Sequence, residues 1–571
     1  MNPRRREPNS PTPRRRQSLS HHAFRHLHPL CLIALSAISG CVSLPKNESG
    51  PIGLFKGMGD HRYAVTTDSR LAQQYFDQGL TWAFAFNHDE AIRSFTRATE
   101  IDPGCAMAWW GIALCNGPHI NNPVMSDQAS ESAWKALQNA ERLKTGASEK
   151  ERRLIDALAR RYAAPPVADR APLDQAYADA MRKVYAAYPD DADIATLTAE
   201  AMMDLHPWDM WTQDKRQQPW TPEVLTTLEH ALALSPNHPG ALHLYIHTCE
   251  AGDPWRATAA AERLRNLVPA SGHLVHMPSH IDVLTGKWAN AAEQNERAID
   301  IDREYRKISP RQGFYRLYML HNAHMLCFAS MMSGRYQEAL DAAKATVTTV
   351  PAEFVRENAA FADPYMSPVF DVLKRFGKWD AILREPQPPA YLPITTAMWR
   401  YTRGLAYAAK HDFPAAERER TAYKQAVANV PEDAMLAINK AHHMLKIAGL
   451  ILDGEIAFQR GSVDEAVAKL REAVELEDQM IYMEPPEWIQ PARHTLGAFL
   501  ADAKRCKEAE AVYREDLKRW PENAWSLYGL SSCLRARGAN DEAAEVEARL
   551  KVTTAKADTP IGSSCLCVPE M

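Results

Sequence analysis

Histidines recur at one-turn helical spacing in three neighbouring segments of this chain, and no other residues in it are better suited to chemistry. Side chains three or four positions apart lie on the same face of an α-helix, so each segment presents a short column of imidazoles. The segments read ALHLYIHTCE, GHLVHMPSHI and HNAHML. The columns consist of His243, His247 and Glu250, then His273, His276 and His280, then His321 and His324.

Two interpretations of these columns stay open at the level of sequence. Neutral imidazoles with a carboxylate are ligands that Zn²⁺, Cu²⁺ and Fe²⁺ prefer, and two histidines with one carboxylate form a recurrent catalytic set. The alternative is a polar groove whose histidines hydrogen-bond one another, backbone carbonyls or a peptide, since buried histidine is normally satisfied by such bonds. In the metal interpretation the ligands are His243, His247, His276 and His280, with Glu250 or His324 beside them.

A helical repeat predicts the elements that hold the columns. The residues of its register recur near both ends of the chain, and each has a structural reason to be there. Small residues are needed where the two helices of a unit cross, large ones fill the space beside them, and proline ends the second helix. The register is formed by Tyr75, Gly79, Trp82, Ala91, Phe95, Ala98 and Pro103, and again by Gly497, Ala509, Tyr513 and Pro521.

This register resembles the tetratricopeptide repeat, a pair of antiparallel helices of about 34 residues. The resemblance covers most of 61–551 and implies an all-α fold, an α-solenoid curved into a right-handed superhelix. Polar connections at 116–130, 163–173, 206–222 and 352–368 interrupt it. The predicted units lie at 174–205, 237–269, 270–303, 318–351, 397–431 and 446–478.

The phase of the repeat predicts where the histidines point. In this family the first helix of each unit lines a concave groove, and counting from Pro236, Pro269 and Pro351 gives the groove positions of three successive units. Neighbouring inner helices pack about 8–10 Å apart, so side chains from adjacent units can meet. The predicted groove residues are His243, His247, Glu250, His276, His280, His321 and His324.

A second polar segment, TAEAMMDLHPWDMW, is a candidate neighbour of the groove. Glu200 and Asp204 share one helical face there, and a loop with His206, Trp208 and Trp211 follows. The loop either closes over the site and adds an acid or an aromatic wall, or is a tryptophan-rich plug between degenerate units.

The N-terminus reads as an export signal. Basic residues precede a short apolar stretch, Leu30–Ile38, and the tetrad that ends at Cys41 resembles a bacterial lipobox. The apolar stretch is shorter than the roughly 20 residues that a membrane-spanning helix needs. We expect a lipoprotein signal peptide at 1–40, lipidation at Cys41, a flexible tether at 41–60 and a disordered tail at 552–571. Secretion without lipid, or a basic arm followed by a structural helix, are the alternatives.

Composition bounds the function. The 571 residues are 46% hydrophobic and carry a net charge of −5, so bulk electrostatics does not favour a nucleic-acid partner. Exported bacterial proteins of the repeat family bind partners through the groove, which implies an envelope scaffold for a protein or peptide, anchored to the membrane by lipid. The second hypothesis is a metal-dependent binding protein or enzyme that uses the histidines with Zn, Cu or Fe. Spacing alone assigns no nucleophile and base, so catalysis stays open.

Overall fold

Antiparallel helix pairs make up most of the chain. A computed structural model describes residues 52–309 and 312–568. The predicted signal peptide at 1–40 and the lipidation site Cys41 therefore lie outside the described residues. Within the described ranges, no helix is both long enough and apolar enough to cross a bilayer.

The helices of the first half carry all three histidine columns. They are α1 (Arg70–Phe84), α2 (His88–Ile101), α3 (Ala106–Cys115), α4 (Asp127–Leu143), α5 (Glu149–Leu158), α6 (Ala171–Ala187), α7 (Ala192–Met203), α8 (Thr221–Leu234), α9 (Pro239–Cys249), α10 (Thr258–Leu264), α11 (Gly272–His276), α12 (Pro278–Leu284), α13 (Trp288–Ile308) and α14 (Arg316–Met332).

The described part of the second half continues the array. It contains one hairpin of two-residue strands, β1 (Met435–Leu436) with β2 (Asn439–Lys440). Its helices are α15 (Tyr336–Thr348), α16 (Ala352–Glu357), α17 (Ala359–Ala362), α18 (Pro368–Arg375), α19 (Trp379–Arg384), α20 (Pro393–Ala409), α21 (Phe413–Ala428), α22 (Ala441–Gln459), α23 (Val463–Asp478), α24 (Ala492–Asp502), α25 (Cys506–Arg519), α26 (Ala524–Ala536) and α27 (Asn540–Thr553). Short 3₁₀ turns lie at Lys144–Gly146, Pro254–Ala257, Gly313–Tyr315 and Asp363–Tyr365.

The predicted α-solenoid is confirmed, and the units that carry the histidines are helix pairs. The unit at 237–269 is α9 with α10, the unit at 270–303 is α11 and α12 with α13, and the unit at 318–351 is α14 with α15. Pro278 divides the inner helix of the middle unit into α11 and α12. Proline lacks an N–H and disfavours the interior of a helix, which explains the break.

Close helix crossings explain the small residues of the register. A Cβ added to Gly79 would lie 2.7 Å from the ring of Phe95, and one added to Gly111 would meet the same ring. At the other end of the array, Gly497 and Gly529 lie in the same way against the ring of Tyr513. Each of these aromatic rings therefore occupies the space that two glycines leave open.

Units that are distant in sequence also touch, so the array closes around its middle. Asn87 donates from Nδ2 to the hydroxyl of Tyr305, 3.0 Å away. Farther along the chain, the indole N–H of Trp288 donates to the carbonyl of Pro521 and that of Trp525 to the carbonyl of Met331, each at 2.8 Å. The inner helices α9, α11, α12 and α14 are thus enclosed by chain from both ends of the array.

Both ends of the described chain differ from the sequence expectation. Residues 52–60 were expected in a flexible tether, but Ile52 is buried and its carbonyl accepts from the hydroxyl of Tyr75 at 2.8 Å. Residues 552–568 were expected in a disordered tail, but Ser563 and Ser564 are fully buried. The hydroxyl groups of Tyr513 and Ser564 lie 2.6 Å apart, and Cys565 and Cys567 form a disulfide. Apolar and hydroxyl side chains that fit the neighbouring helices order these ends.

Candidate metal centre

Four inner helices bring six histidines from the three columns together. Helix α9 carries His243 and His247, α11 carries His273 and His276, α12 carries His280, and α14 carries His321. All are buried except His321, which is half-buried. Their ring nitrogens meet in two sets. We call His276, His280 and His321 the first trio, and His243, His247 and His273 the second trio.

The first trio converges through one kind of atom. Nε2 of His280 lies 2.8 Å from Nε2 of His276 and 3.3 Å from Nε2 of His321. Nitrogen ligands with metal bonds of 2.0–2.1 Å in a tetrahedral site are about 3.4 Å apart. The two Nε2–Nε2 distances are therefore close to the separation of nitrogen ligands that share one transition metal ion.

Asn295 on α13 fixes the tautomer of His276. The Asn295 side-chain amide donates from Nδ2 to the carbonyl of Ala291 at 2.7 Å, so its Oδ1 faces the imidazole. Nδ1–H of His276 donates to that oxygen at 2.6 Å. Burial lowers the pKa of His276 well below its usual value. The ring is consequently neutral, with the lone pair on Nε2 pointing into the trio.

Two carboxylates hold the opposite edge of His280. Its Nδ1 lies 2.9 Å from Oε2 of Glu250 and 2.7 Å from Oε2 of Glu484. Burial lowers the pKa of His280, but these carboxylates outweigh burial and raise the pKa to about 10. Burial also raises the pKa of Glu484, to about 7. A carboxylate on the far nitrogen of a histidine is the usual outer partner of a metal-bound imidazole, which it orients and makes more basic.

The second trio lies beside the first and is oriented by α1. Nδ1–H of His243 donates to the carbonyl of Phe84 at 2.6 Å, so the lone pair of this histidine is on Nε2. That Nε2 lies 3.1 Å from Nε2 of His273. Nε2 of His247 and Nδ1 of His273 are buried without a hydrogen-bond partner. One ring nitrogen from each of the three lies within 4.8 Å of the others.

Glu250 connects the two trios. Its Oε1 lies 3.1 Å from Nδ1 of His247, and its Oε2 faces His280 of the first trio. Burial raises the pKa of Glu250, but the histidines on both sides outweigh burial and bring the pKa down to about 2. The carboxylate is therefore ionised and is shared by a histidine from each trio.

Two aromatic side chains border the second trio. The ring of Phe86 lies 4.4 Å from that of His243 and 6.0 Å from that of His273, measured between centroids. Trp208 is 41% exposed and its ring lies 5.4 Å from that of His247. In contrast, Trp211 donates from its indole to the carbonyl of Thr248 at 2.6 Å. The loop after α7 thus combines both sequence interpretations, because Trp208 walls the site and Trp211 packs between units.

The remaining predicted site residues, Glu200, Asp204 and His324, belong to neither trio. Oδ2 of Asp204 accepts from Arg161 at 2.6 Å, and burial raises the pKa of Asp204 to about 6 and that of Glu200 to about 8. His324 follows His321 by one turn, and burial lowers its pKa to about 4. The four-histidine set expected from sequence is also divided, since His243 and His247 meet His273 while His276 and His280 meet His321.

Sequence reasoning missed several contributors. Glu484 comes from 479–491, between α23 and α24, where the segment EPPEW was expected only to position Trp488. Trp488 is indeed buried, but a glutamate beside two prolines gave no indication of a distant histidine. His273 falls outside the groove positions that the repeat phase selects. The carbonyl of Phe84 carries no signal in the sequence, because every residue has one.

A third histidine set has a structural explanation. Oδ1 of Asp193 lies 2.9 Å from Nε2 of His61 and 3.2 Å from Nε2 of His238. Nδ1 of His238 accepts from the backbone N–H of Ala241 at 3.1 Å, which caps α9. Both nitrogens of His238 are thus in use. We interpret this set as the link that fastens the segment before α1 to the array.

Comparison with known proteins supports the fold. Residues 500–558 match the tetratricopeptide repeat family model. No curated protein matches the chain. Among solved structures, the chain is similar to the human IFIT1 dimer with m7Gppp-AAAA at 13% identity, over 86% of this chain and 92% of that one, with a TM-score of 0.31.

Two further structures are similar at the same low level. The APC/C hetero-tetramer Cut9-Hcn1 matches at 12% identity over 85% of this chain and 74% of that chain, with a TM-score of 0.28. Yeast Tom70 matches at 11% identity over 85% and 90%, with a TM-score of 0.26. Structural similarity at this level does not indicate the function of this chain.

Proposed function

We propose that this protein binds a transition metal ion through Nε2 of His276, His280 and His321, and that it is a metal-dependent binding protein or enzyme. The observation that carries the proposal is the convergence of three Nε2 atoms, two of them separated from the third by 2.8 and 3.3 Å. Contacts on the far side of two rings support it, since the hydrogen bond to Asn295 aims the lone pair of His276 and the carboxylates of Glu250 and Glu484 lie against Nδ1 of His280.

The donor set limits which metal fits. Imidazole suits Zn, Cu, Fe and Ni, whereas Mg and Ca prefer oxygen ligands. Three protein ligands leave a fourth position for water or substrate, which is the arrangement of catalytic rather than structural zinc sites. The half-buried edge of His321 and the exposed edge of Trp208 are where such a ligand would approach.

Elemental analysis of the protein, purified without chelators or affinity tags, tests the proposal. We expect stoichiometric transition metal in the wild type and its loss in a variant with both His276→Ala and His280→Ala. His324→Ala is the matched control, because His324 lies on the same helix as His321 and outside the trio. Wild-type protein that contains no metal and takes up none from Zn²⁺, Cu²⁺ or Fe²⁺ would rule the proposal out.

A second candidate function is a scaffold for a protein partner. The helix-pair fold supports partner binding, since such arrays present extended surfaces. The finer form of this candidate is a lipid anchor at Cys41 in the bacterial envelope, with a peptide in the groove. Because Glu250 and five of the six histidines are buried, the peptide would lie elsewhere along the array. Export with Cys41→Ser tests the anchor: the variant should leave the membrane fraction, and unchanged membrane association would exclude lipidation there.

A further inference from the structure

We infer that His243, His247 and His273 form a second metal site, so that the protein would hold a dinuclear centre in which Glu250 orients one ligand of each ion. This inference rests on the proposed function, because it places a second ion next to the first trio. The sequence assigned no ion to His273 and treated the columns as one site.

Geometry is the first support. Nε2 of His243 and Nε2 of His273 are 3.1 Å apart, close to the separation expected of two ligands on one ion. His247 completes the set, with one nitrogen from each ring within 4.8 Å of the others. Three ligands from α9 and α11 therefore surround one point, as three ligands from α11, α12 and α14 do in the first trio.

Hydrogen bonding is the second support. Buried polar atoms in native proteins are nearly always paired, and an exception needs an explanation. His247 leaves Nε2, the ring nitrogen opposite its contact with Glu250, buried without a hydrogen-bond partner. His243 donates from Nδ1 to a carbonyl, which only accepts, so its Nε2 must be a lone pair when the ring is neutral. An ion would supply the partner that Nε2 of His247 lacks.

The arrangement of outer partners repeats that of the first trio. In each trio one imidazole donates from Nδ1 to a fixed oxygen, Phe84 O for His243 and Asn295 Oδ1 for His276. In each trio a second imidazole has Nδ1 against Glu250, at 3.1 Å for His247 and 2.9 Å for His280. Such partners fix the tautomer and the orientation of metal-bound histidines. One carboxylate thus orients a ligand of each ion.

The two trios are neighbours in the array. Ring centroids of His247 and His280 are 5.7 Å apart, and those of His273 and His276 are 5.9 Å apart. Three histidines leave a coordination position of each ion open, so the ligand class that fits each site is a small oxygen donor such as water, hydroxide or an oxyanion.

Metal stoichiometry tests the inference. Titration of demetallated full-length protein with Zn²⁺ should saturate at two equivalents, and His273→Asn and His321→Asn should each bind one. His324→Ala should still bind two. Two equivalents with these separate losses support the dinuclear centre. A single equivalent, whether removed by His321→Asn alone or by either variant, overturns the second site and leaves the first ion in place. No binding at all overturns the proposed function itself.

A measurement on the wild type covers the case in which His273→Asn does not fold. With Cu²⁺ as the probe, one equivalent should give the electron paramagnetic resonance spectrum of an isolated ion. A second equivalent in the adjacent trio should broaden or suppress that spectrum by coupling between the ions. If the second equivalent adds an unbroadened spectrum, or gives only the spectrum of unbound Cu²⁺, the protein does not hold two adjacent ions.

Discussion

At the scale of single residues, the function of the trios depends on which ring nitrogen carries the proton. A neutral imidazole binds a metal only through its unprotonated nitrogen. Phe84, Asn295 and Glu250 each engage Nδ1 of one or more histidines. These outer contacts therefore select the lone pairs that meet inside the trios.

Asn295 gives the clearest prediction for such a contact. Asn295→Leu removes the acceptor from Nδ1 of His276, and we expect the metal affinity of the first trio to fall about 10- to 100-fold, as for other outer partners. Isothermal titration with Zn²⁺ measures the change. Asn295→Asp keeps an oxygen in place and is the control, which should bind near the wild-type affinity. Equal affinity in the leucine variant would show that Asn295 has no orienting role.

Glu455 gives a prediction about pH that is independent of the metal. Burial raises the pKa of this α22 carboxyl to about 8, so the folded protein keeps it protonated while the unfolded chain releases the proton above the usual value of 4.5. The folded state thus binds more protons across this window. The contribution of Glu455 to the free energy of unfolding is fully present below pH 4.5. It is lost as the pH rises towards 8, at up to about 1.4 kcal/mol per pH unit.

Glu455→Gln should remove this loss, because a neutral amide does not titrate. We expect the free energy of unfolding of the variant to exceed that of the wild type increasingly between pH 5 and pH 8, measured by urea denaturation. The exposed carboxylate of Glu465 on the next helix supplies a control, Glu465→Gln. A constant difference between wild type and Glu455→Gln across this range would contradict a buried neutral carboxyl.

At the scale of elements, the sequence predicted the helix pairs because their determinants are local. Gly79 in the first unit and Gly497 near the end mark crossings that involve only the two or three nearest helices. The three histidine columns were placed on inner helices for the same reason. The repeat phase, counted from Pro269, selected His276 and His280 but not His273, which lies at the start of α11 and meets His243 of the preceding unit.

The crossing of α1 with α2 can be tested by adding a single methyl group. Gly79→Ala would place a Cβ 2.7 Å from the ring of Phe95, and overpacking of this kind costs about 1–3 kcal/mol. We expect a lower thermal midpoint, recorded by circular dichroism, with partial recovery when Phe95→Leu is added. Gly146→Ala is the matched control, because a Cβ there meets nothing within 4 Å. Equal thermal midpoints for Gly79→Ala and Gly146→Ala would mean that α1 and α2 accommodate the added methyl group without loss of stability.

At the scale of the whole molecule, the site depends on closure of the array, which local sequence does not encode. Glu484 reaches His280 across about 200 positions of the chain because the later units return to the middle ones. Contacts such as Trp288 with Pro521 hold that return in place. How many units complete one turn follows from small rotations summed over every unit. Because degenerate units and long connections change these rotations, their sum cannot be predicted from the sequence.

This closure predicts that metal binding protects a segment far from the ligands in sequence. An ion on Nε2 of His280 would strengthen the attraction between its Nδ1–H and the Glu484 carboxylate, 2.7 Å away, so 479–491 should open less often. Hydrogen exchange with mass spectrometry should show slower exchange in that segment after Zn²⁺ is added to demetallated protein. Helix α27 serves as the internal control, because its ion pairs are made with Arg514, Glu522, Arg535 and Arg537 and so lie outside 479–491.

Glu484→Gln separates this long-range effect from global stabilisation by the ion. A ligand that binds only the folded state protects every segment that exchanges through complete unfolding, and such protection should be the same in wild type and variant. Protection specific to 479–491 should shrink in the variant, because an amide accepts a weaker hydrogen bond than a carboxylate from the imidazole. Protection at 479–491 that is no larger than in α27, or that survives Glu484→Gln unchanged, would show that the later units do not contribute to the metal centre.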